Sequence, residues 1–216
     1  MKIQYLIDSL LSPSLSALNF VDRYAGMTRV MNILIDSGDD KATQKRYPIA
    51  CDVTAKDCNN TGIYQNLVPN DSKNSVVYWE EVSPMKNTGY TAQKDFYTKD
   101  FQGVARLVVW LNLNRLGISD CKRAIETVPP IEKIITTKGK FVSGIYENDF
   151  FWIEPSGFVK KDPKSIFGKY TYPINNQYYL YPFDYYAIDV KFKLHQCLKR
   201  GQEFILNPST DCINTI

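Results

Sequence analysis

The sequence predicts an α+β fold: a mostly antiparallel sheet flanked by helices. One domain is expected over 1–200, with a C-terminal tail over 201–216. Three observations carry that prediction. Apolar residues recur at helical spacing near the start and near the middle of the chain, while other segments alternate with the period of two that a strand requires. Gly103–Leu113 is apolar enough on both faces to be a central strand, with helices on one side and partial cover on the other. A composition of 44% hydrophobic and 23% charged residues over 216 positions is that of an ordinary folded chain. A chain of that length buries a sizeable core without crosslinks.

Taken in order, Ile3, Leu6, Ile7 and Leu10 form one apolar stripe of a first helix. Ser12-Pro13 reads as a cap and first position of a second helix through Leu15, Leu18, Val21, Ala25, Met31 and Leu34, stopped by Asp36–Asp40. Tyr47–Val53 alternates as a strand, with Tyr47, Ile49, Cys51 and Val53 on one face, and Pro48 near its start suggests an edge strand or the first rung. Cys58–Ser75 reads as a long loop, and Val76–Val82 as a strand followed by the polar segment Ser83–Phe101. After Gly103–Leu113 the chain turns at Asn114–Gly117. Ser119 caps a helix carrying Cys121, Ala124, Ile125 and Val128, which Pro129-Pro130 ends or kinks, and Ile131–Thr136 starts another. Phe141–Tyr146 and Asp149–Ile153 read as short strands, Glu154–Asn176 as irregular, and Gln177–Tyr181 as a strand before a bend at Pro182–Asp184. The last strand sets Ile188, Val190, Phe192 and Leu194 against Asp189, Lys191, Lys193 and His195. Two long segments, 83–102 and 141–178, are expected as loop or hairpin arms, because ordered loops in compact domains are usually much shorter.

Charge and cysteine usage narrow the functional classes. The 26 basic and 23 acidic residues leave a net charge of +3, too small to announce a nucleic-acid or membrane binder. The residues Met1–Asp8 lack the pattern of a signal peptide. The 5 cysteines are odd in number and lack a CxxC pair, so free packing thiols in a reducing compartment are expected.

Each reactive constellation has a plainer explanation. His195, the 1 histidine, shares a strand face with Asp189 and Cys197, but no nucleophile elbow accompanies it. Cys121 opens an expected helix, where the dipole lowers a thiol's pKa, yet it belongs to the apolar stripe and has no base nearby. Glu132 with Asp149, or Asp52 with Glu80 and Glu81, would have to converge in a closed cleft to hold metals, and their mixed facing speaks for solvated carboxylates. Lys160, Lys161, Lys164 and Lys169 form a modest basic cluster, expected as a solvated loop. No phosphate loop, dinucleotide fingerprint or HExxH is present, and Thr137–Lys140 is a turn. Neither a catalytic residue nor a cofactor or metal is expected.

The aromatic residues point elsewhere. Tyr90, Phe96, Tyr97 and Phe101 fall in the first long segment, Phe150, Phe151 and Trp152 in the second, and Tyr170, Tyr172, Tyr178, Tyr179 and Tyr181 follow. Half of them are expected in the core and the rest at interfaces, where Tyr and Trp bury much area and keep a polar tip.

The element order, with Tyr47–Val53, "VVYWEE", "GVARLVVWLNLNRLG" and "QYYLYPFDYYAIDVKF", resembles the tail-terminator-like head–tail connector proteins of tailed bacteriophages. The texture is closest to the neck ring proteins of crAss-like phages. The resemblance implies a structural virion protein with no active site. Copies would form a twelve-fold or six-fold homo-oligomeric ring by head-to-tail contacts. The ring would join the portal or adaptor to neighbouring tail rings around passing DNA, with no sequence-specific DNA contact and no membrane. It would reside in the virion neck or tail, and in the host cytoplasm during assembly. A cytosolic phage enzyme acting on nucleic acid and a monomeric protein-binding module are the alternatives.

Overall fold

The computed structural model describes residues 3–35, 43–50, 66–92, 96–119, 124–142, 150–171 and 179–199. The first helix, α1 (Ile3–Leu15), places Ile7, Leu11 and Leu15 at successive turns of one face, and all three are fully buried. It runs past Ser12-Pro13, which was expected to begin a second helix. Ser16 closes its last turn by donating through both N–H and Oγ to the Ser12 carbonyl.

That second helix does not exist. Leu18 and Val21 pack on the core from turns, and Tyr24–Ile35 is strand β1. Thr28, Val30, Ile33 and Ile35 are β-branched and favour the extended chain. Gly26, at φ 61°, takes up the register shift between Tyr24 and Met27 that a side chain would resist. The helical spacing of Leu15 to Leu34 was a coincidence of two elements read as one. The expected stop at Asp36–Asp40 lies outside the described residues.

Six more strands complete the sheet: β2 (Thr43–Ala50), β3 (Ser75–Ala92), β4 (Phe96–Asn112), β5 (Lys140–Val142), β6 (Phe150–Lys160) and β7 (Phe183–Lys199). Their order is β2-β1-β3-β4-β7-β6-β5. Only the β1–β3 pairing is parallel, so the fold is α+β with a mostly antiparallel sheet. Pro48 lies, as expected, on an edge strand, and Tyr47 and Ile49 are buried beside it; Cys51 and Val53 lie outside the described residues.

β4 is central and covered on both faces. Ala105, Leu107, Val109 and Leu111 join Ile188, Val190, Phe192 and Leu194 of β7 in the first core. Over them pack α1 and α3 (Val128–Lys138), the latter through Ile131 and Ile135. The opposite face builds a second core from Val76, Tyr78, Val108, Trp110, Phe183, Tyr185 and Ala187. The short helix α4 (Pro163–Phe167) covers it with Ile166 and Phe167, followed by Tyr170.

Between β4 and α3, Asn112 caps the four-residue helix α2 (Leu113–Leu116) by accepting from the Arg115 N–H, and Gly117, at φ 65°, ends it. Pro129-Pro130 does not end a helix but begins α3, because N–H groups in a first turn need no partner within the helix. Ahead of it, Ala124–Thr127 is a 3₁₀ turn, and Cys121 lies outside the described residues.

The segment expected to be irregular from Glu154 is instead β6 as far as Lys160. A bulge between Pro155 and Val159 accommodates the proline and glycine, and Ser156 Oγ donates to the Asp189 carbonyl there. Much of the second expected arm, 141–178, therefore belongs to the sheet and its cover. Tyr179–Tyr181 is turn rather than strand, before the cis Tyr181–Pro182 bond. Among the described residues no helix is long and apolar enough to cross a membrane.

Candidate interaction surface

Of the first long segment, residues 83–92 and 96–102 form the outer half of the paired β3 and β4. β1 accompanies β3 only through Thr28↔Glu80 and then continues with β2. Beyond Glu80, β3 pairs with β4 as far as Ala92↔Tyr97. Among the described residues nothing pairs with the other edge of Glu81–Ala92. Three register shifts, at Glu81/Ser83, Ser83/Lys86 and Asn87/Gly89, interrupt the ladder along this stretch.

Along the same edge stand exposed apolar side chains: Val82 at 46%, Met85 at 37% and Tyr90 at 62%. A long strand edge with apolar side chains is a template for another strand, and proteins normally cover or charge such edges. The β2 edge is treated that way, since the Thr171 N–H donates to the Arg46 carbonyl 3.1 Å away.

One face of this outer half is polar. His195 Nδ1 stands 2.7 Å from Asp100 Oδ1 across the β4–β7 pair. Two residues inward, the Lys193 ammonium lies 5.0 Å from the centre of the Trp152 ring, within cation–π range. Thr88, Asp100, Gln102, Trp152, Lys193 and His195 border an open groove of about 300 Å³. Gly89 lets β3 approach Asp100, because a Cβ there would stand 2.7 Å from Asp100 Oδ2. The other face carries Phe101 beside Lys99. At Gly103 the Phe192 ring occupies the space a side chain would need, 2.1 Å from an ideal Cβ.

The inner half of the second face holds a buried ionic network instead. Arg106 forks onto Asp189 with Nε–Oδ1 of 2.6 Å and Nη2–Oδ2 of 3.2 Å, and its Nη1 donates to the Ser165 carbonyl at 2.7 Å. The hydrogen bond to Asp189 is the main reason the guanidinium's pKa is raised. Glu80, 2% exposed, accepts from the Tyr170 hydroxyl and pairs with Lys169 Nζ at 2.8 Å. These contacts fasten α4 and the residues after it to the sheet. On the first face Tyr186 shares a hydrogen bond with Thr127, and burial raises its phenol pKa.

The chain matches no protein-family model and no curated protein.

The geometry redistributes the residues singled out by sequence. Tyr90 and Tyr181, the latter 61% exposed, face solvent, and Leu180 beside Tyr181 is 65% exposed. Phe101 is half-buried against the first core, Trp152 lies under Lys193, and Tyr179 stacks on Phe167 at 5.4 Å. Tyr170 belongs to its own chain's second core, so it is not available to a neighbour. Phe96 and Tyr97 begin β4, and Phe150 and Phe151 begin β6; their side chains are outside the described ones. Tyr172 and Tyr178 lie outside the described residues altogether.

His195 meets Asp100 rather than Asp189, which Arg106 holds. Glu80 and Glu81 do not act together: Glu80 is buried in its ion pair and Glu81 is exposed. Asp52 and Asp149 lie outside the described residues. In the basic cluster, Lys161 is 3.3 Å from Asp184 and Lys169 is bound to Glu80, so the chain's own carboxylates engage both cations. Among the described residues no three His, Cys, Asp or Glu side chains gather as metal ligands.

The Asp100–His195 and Arg106–Asp189 pairs went unnoticed in the sequence. A signal was there, since both strands carry alternating polar positions on one face. Only the register, which sets 100 against 195 and 106 against 189, joins them.

Proposed function

We propose that this chain is a structural subunit of the neck of a tailed bacteriophage, with a tail-terminator-like fold whose 83–102 extension serves as a joining arm. Copies associate head to tail into a closed ring, which connects portal or adaptor to tail components around the DNA channel and catalyses no reaction. The observation that supports the reading is the edge of Glu81–Ala92, which no other described strand pairs, with Val82 and Met85 exposed along it. An edge of that length offers main-chain hydrogen bonds to an added strand, and its side chains supply apolar contact. The element order that resembles connector proteins supports the same reading. A heterologous contact repeated around an axis closes when its rotation divides a full turn.

Light scattering on the purified full-length chain, followed by electron microscopy with and without portal protein, tests this. The expected mass is a multiple of 24.8 kDa, with annular particles or a portal-bound ring. A monomer at every concentration that also fails to bind portal would overturn it.

A further inference from the structure

We infer that the polar face of the outer sheet binds single-stranded nucleic acid, with one base against the Trp152 ring and phosphates on Lys86, Lys191 and Lys193. The inference goes beyond the ring reading and does not rest on it. The register builds the site. Lys86 pairs with Gln102, Gln102 with Lys193 and Lys193 with Trp152, so the four residues form one row on one face of β3, β4, β7 and β6. The row is three strand spacings long, about 14 Å. In the next row inward Lys191 pairs with Val104 and Glu154, about 6.8 Å along the strand from Lys193. One row further in, Arg106 already carries α4 through the Ser165 carbonyl. Outward of it Lys86, Gln102 and Lys191 are exposed, and Trp152 and Lys193 are half-buried.

Trp152 is among the residues of neither described core. Its ring lies under the Lys193 ammonium, 5.0 Å from the ring centre, and borders the groove of about 300 Å³. That volume is at the lower end for small-molecule sites, and suits one flat ring system. Bases of any sequence stack on an aromatic face, while cations beside it follow the phosphates. An arriving phosphate draws the Lys193 ammonium off the ring, and a base takes the place it leaves. Of the carboxylates on this face, Asp100 is held by His195 at 2.7 Å, and Glu154 stands in the Lys191 row. Three lysines against these two leave the face weakly basic, so binding is salt-sensitive. A duplex keeps its bases stacked inside and leaves the ring unused. An acidic peptide uses the lysines alone.

The test takes the full-length chain, a short labelled oligothymidylate, its duplex with oligoadenylate, and polyglutamate. Trp79 and Trp110 are buried, so a fall in tryptophan emission on adding the single strand reports Trp152. Anisotropy of the labelled strand should show affinity that drops about tenfold in Trp152→Ala and returns in Trp152→Phe. Lys191→Gln with Lys193→Gln should flatten the plot of log affinity against log salt by about 1.4, the value for two phosphate contacts on a single strand. Should Trp152→Ala not melt like wild type, the lysine variant, at two polar positions outside the cores, decides alone. No binding of the single strand at low salt, or binding that a folded alanine or lysine variant leaves unchanged, overturns the inference. Equal affinity for the duplex or for polyglutamate also overturns it, and makes the face a general polyanion or acidic-peptide surface. Light scattering on the same samples reads ring assembly separately, so either reading can fail without the other.

Discussion

The two halves of the β3–β4–β7 sheet differ in what covers them. In the inner half, around Val76–Glu80, Arg106–Asn112 and Phe183–Asp189, α1 and α3 lie on one face and α4 with Tyr170 on the other. Even the charged groups there are paired and nearly dry. In the outer half, around Glu81–Thr91 and Thr98–Val104, no β3 residue is buried, Phe101 alone packs on the first core, and β3 has no described partner beyond β4. The inner half carries the stability of the fold. The outer half leaves a strand edge with no pairing among the described residues, which is where the proposed ring contact would form.

Substitutions that respect or violate this division separate the two roles. The largest effect is expected at Arg106→Met, which strands Asp189 in the second core. Removing one partner of a buried pair typically costs about 3–5 kcal/mol, read as a lower midpoint in urea denaturation. A loss below about 1 kcal/mol would mean that the inner half is wetter than its packing implies.

Next comes Gly103→Val, at the boundary between halves, where the side chain must displace the Phe192 ring. Overpacking of this kind costs about 1–3 kcal/mol, and Phe192→Ala in the same chain should recover part of it in a double-mutant cycle.

Lys73 gives a smaller, pH-dependent effect at the foot of β3. Its ammonium donates to the Asn66 and Val68 carbonyls at 2.8 and 2.6 Å. Burial, and then the charge of Arg23, lowers its pKa to about 8. The unfolded chain holds that proton up to its normal value near about 10.4. Between these two values the unfolded state binds more protons, so the contribution of Lys73 to stability rises with pH across that window. Subtracting the Lys73→Met stability curve from the wild-type curve should leave a rise between pH 8 and about 10. A flat difference would contradict the lowered pKa.

The smallest change in stability is expected at Tyr90→Ser, within about 0.5 kcal/mol for a surface site. The same substitution should shift the association midpoint to higher concentration in sedimentation. A large stability loss with unchanged association would reverse the roles of the halves.

The inner half was the legible one. Ala105–Asn112 and Ile188–Leu194 carry period-two patterns that burial on known faces had to produce, and the structure places them in β4 and β7, while Leu113, expected at the end of the strand, opens α2. Legibility failed where one pattern served two elements. Leu15 to Leu34 kept helical spacing across a turn and a strand, and Gly26 resolved it only through its positive φ. Pro129-Pro130 was ambiguous because proline stops a helix from within and starts one at its first turn. Pro155 and Gly157 looked like loop because a bulge accommodates them inside a strand. The exposed edge was half visible: the polar, aromatic-bearing segment after Val82 stood out, while its pairing with β4 on one side only depends on where β1 departs.

Amide hydrogen exchange across a dilution series tests the proposed joining role of the outer half most directly. The predicted result is protection of Glu81–Ala92 at high concentration that fades on dilution, while Arg106–Leu111 stays slow throughout. Exchange over Glu81–Ala92 that is the same at every concentration would contradict it.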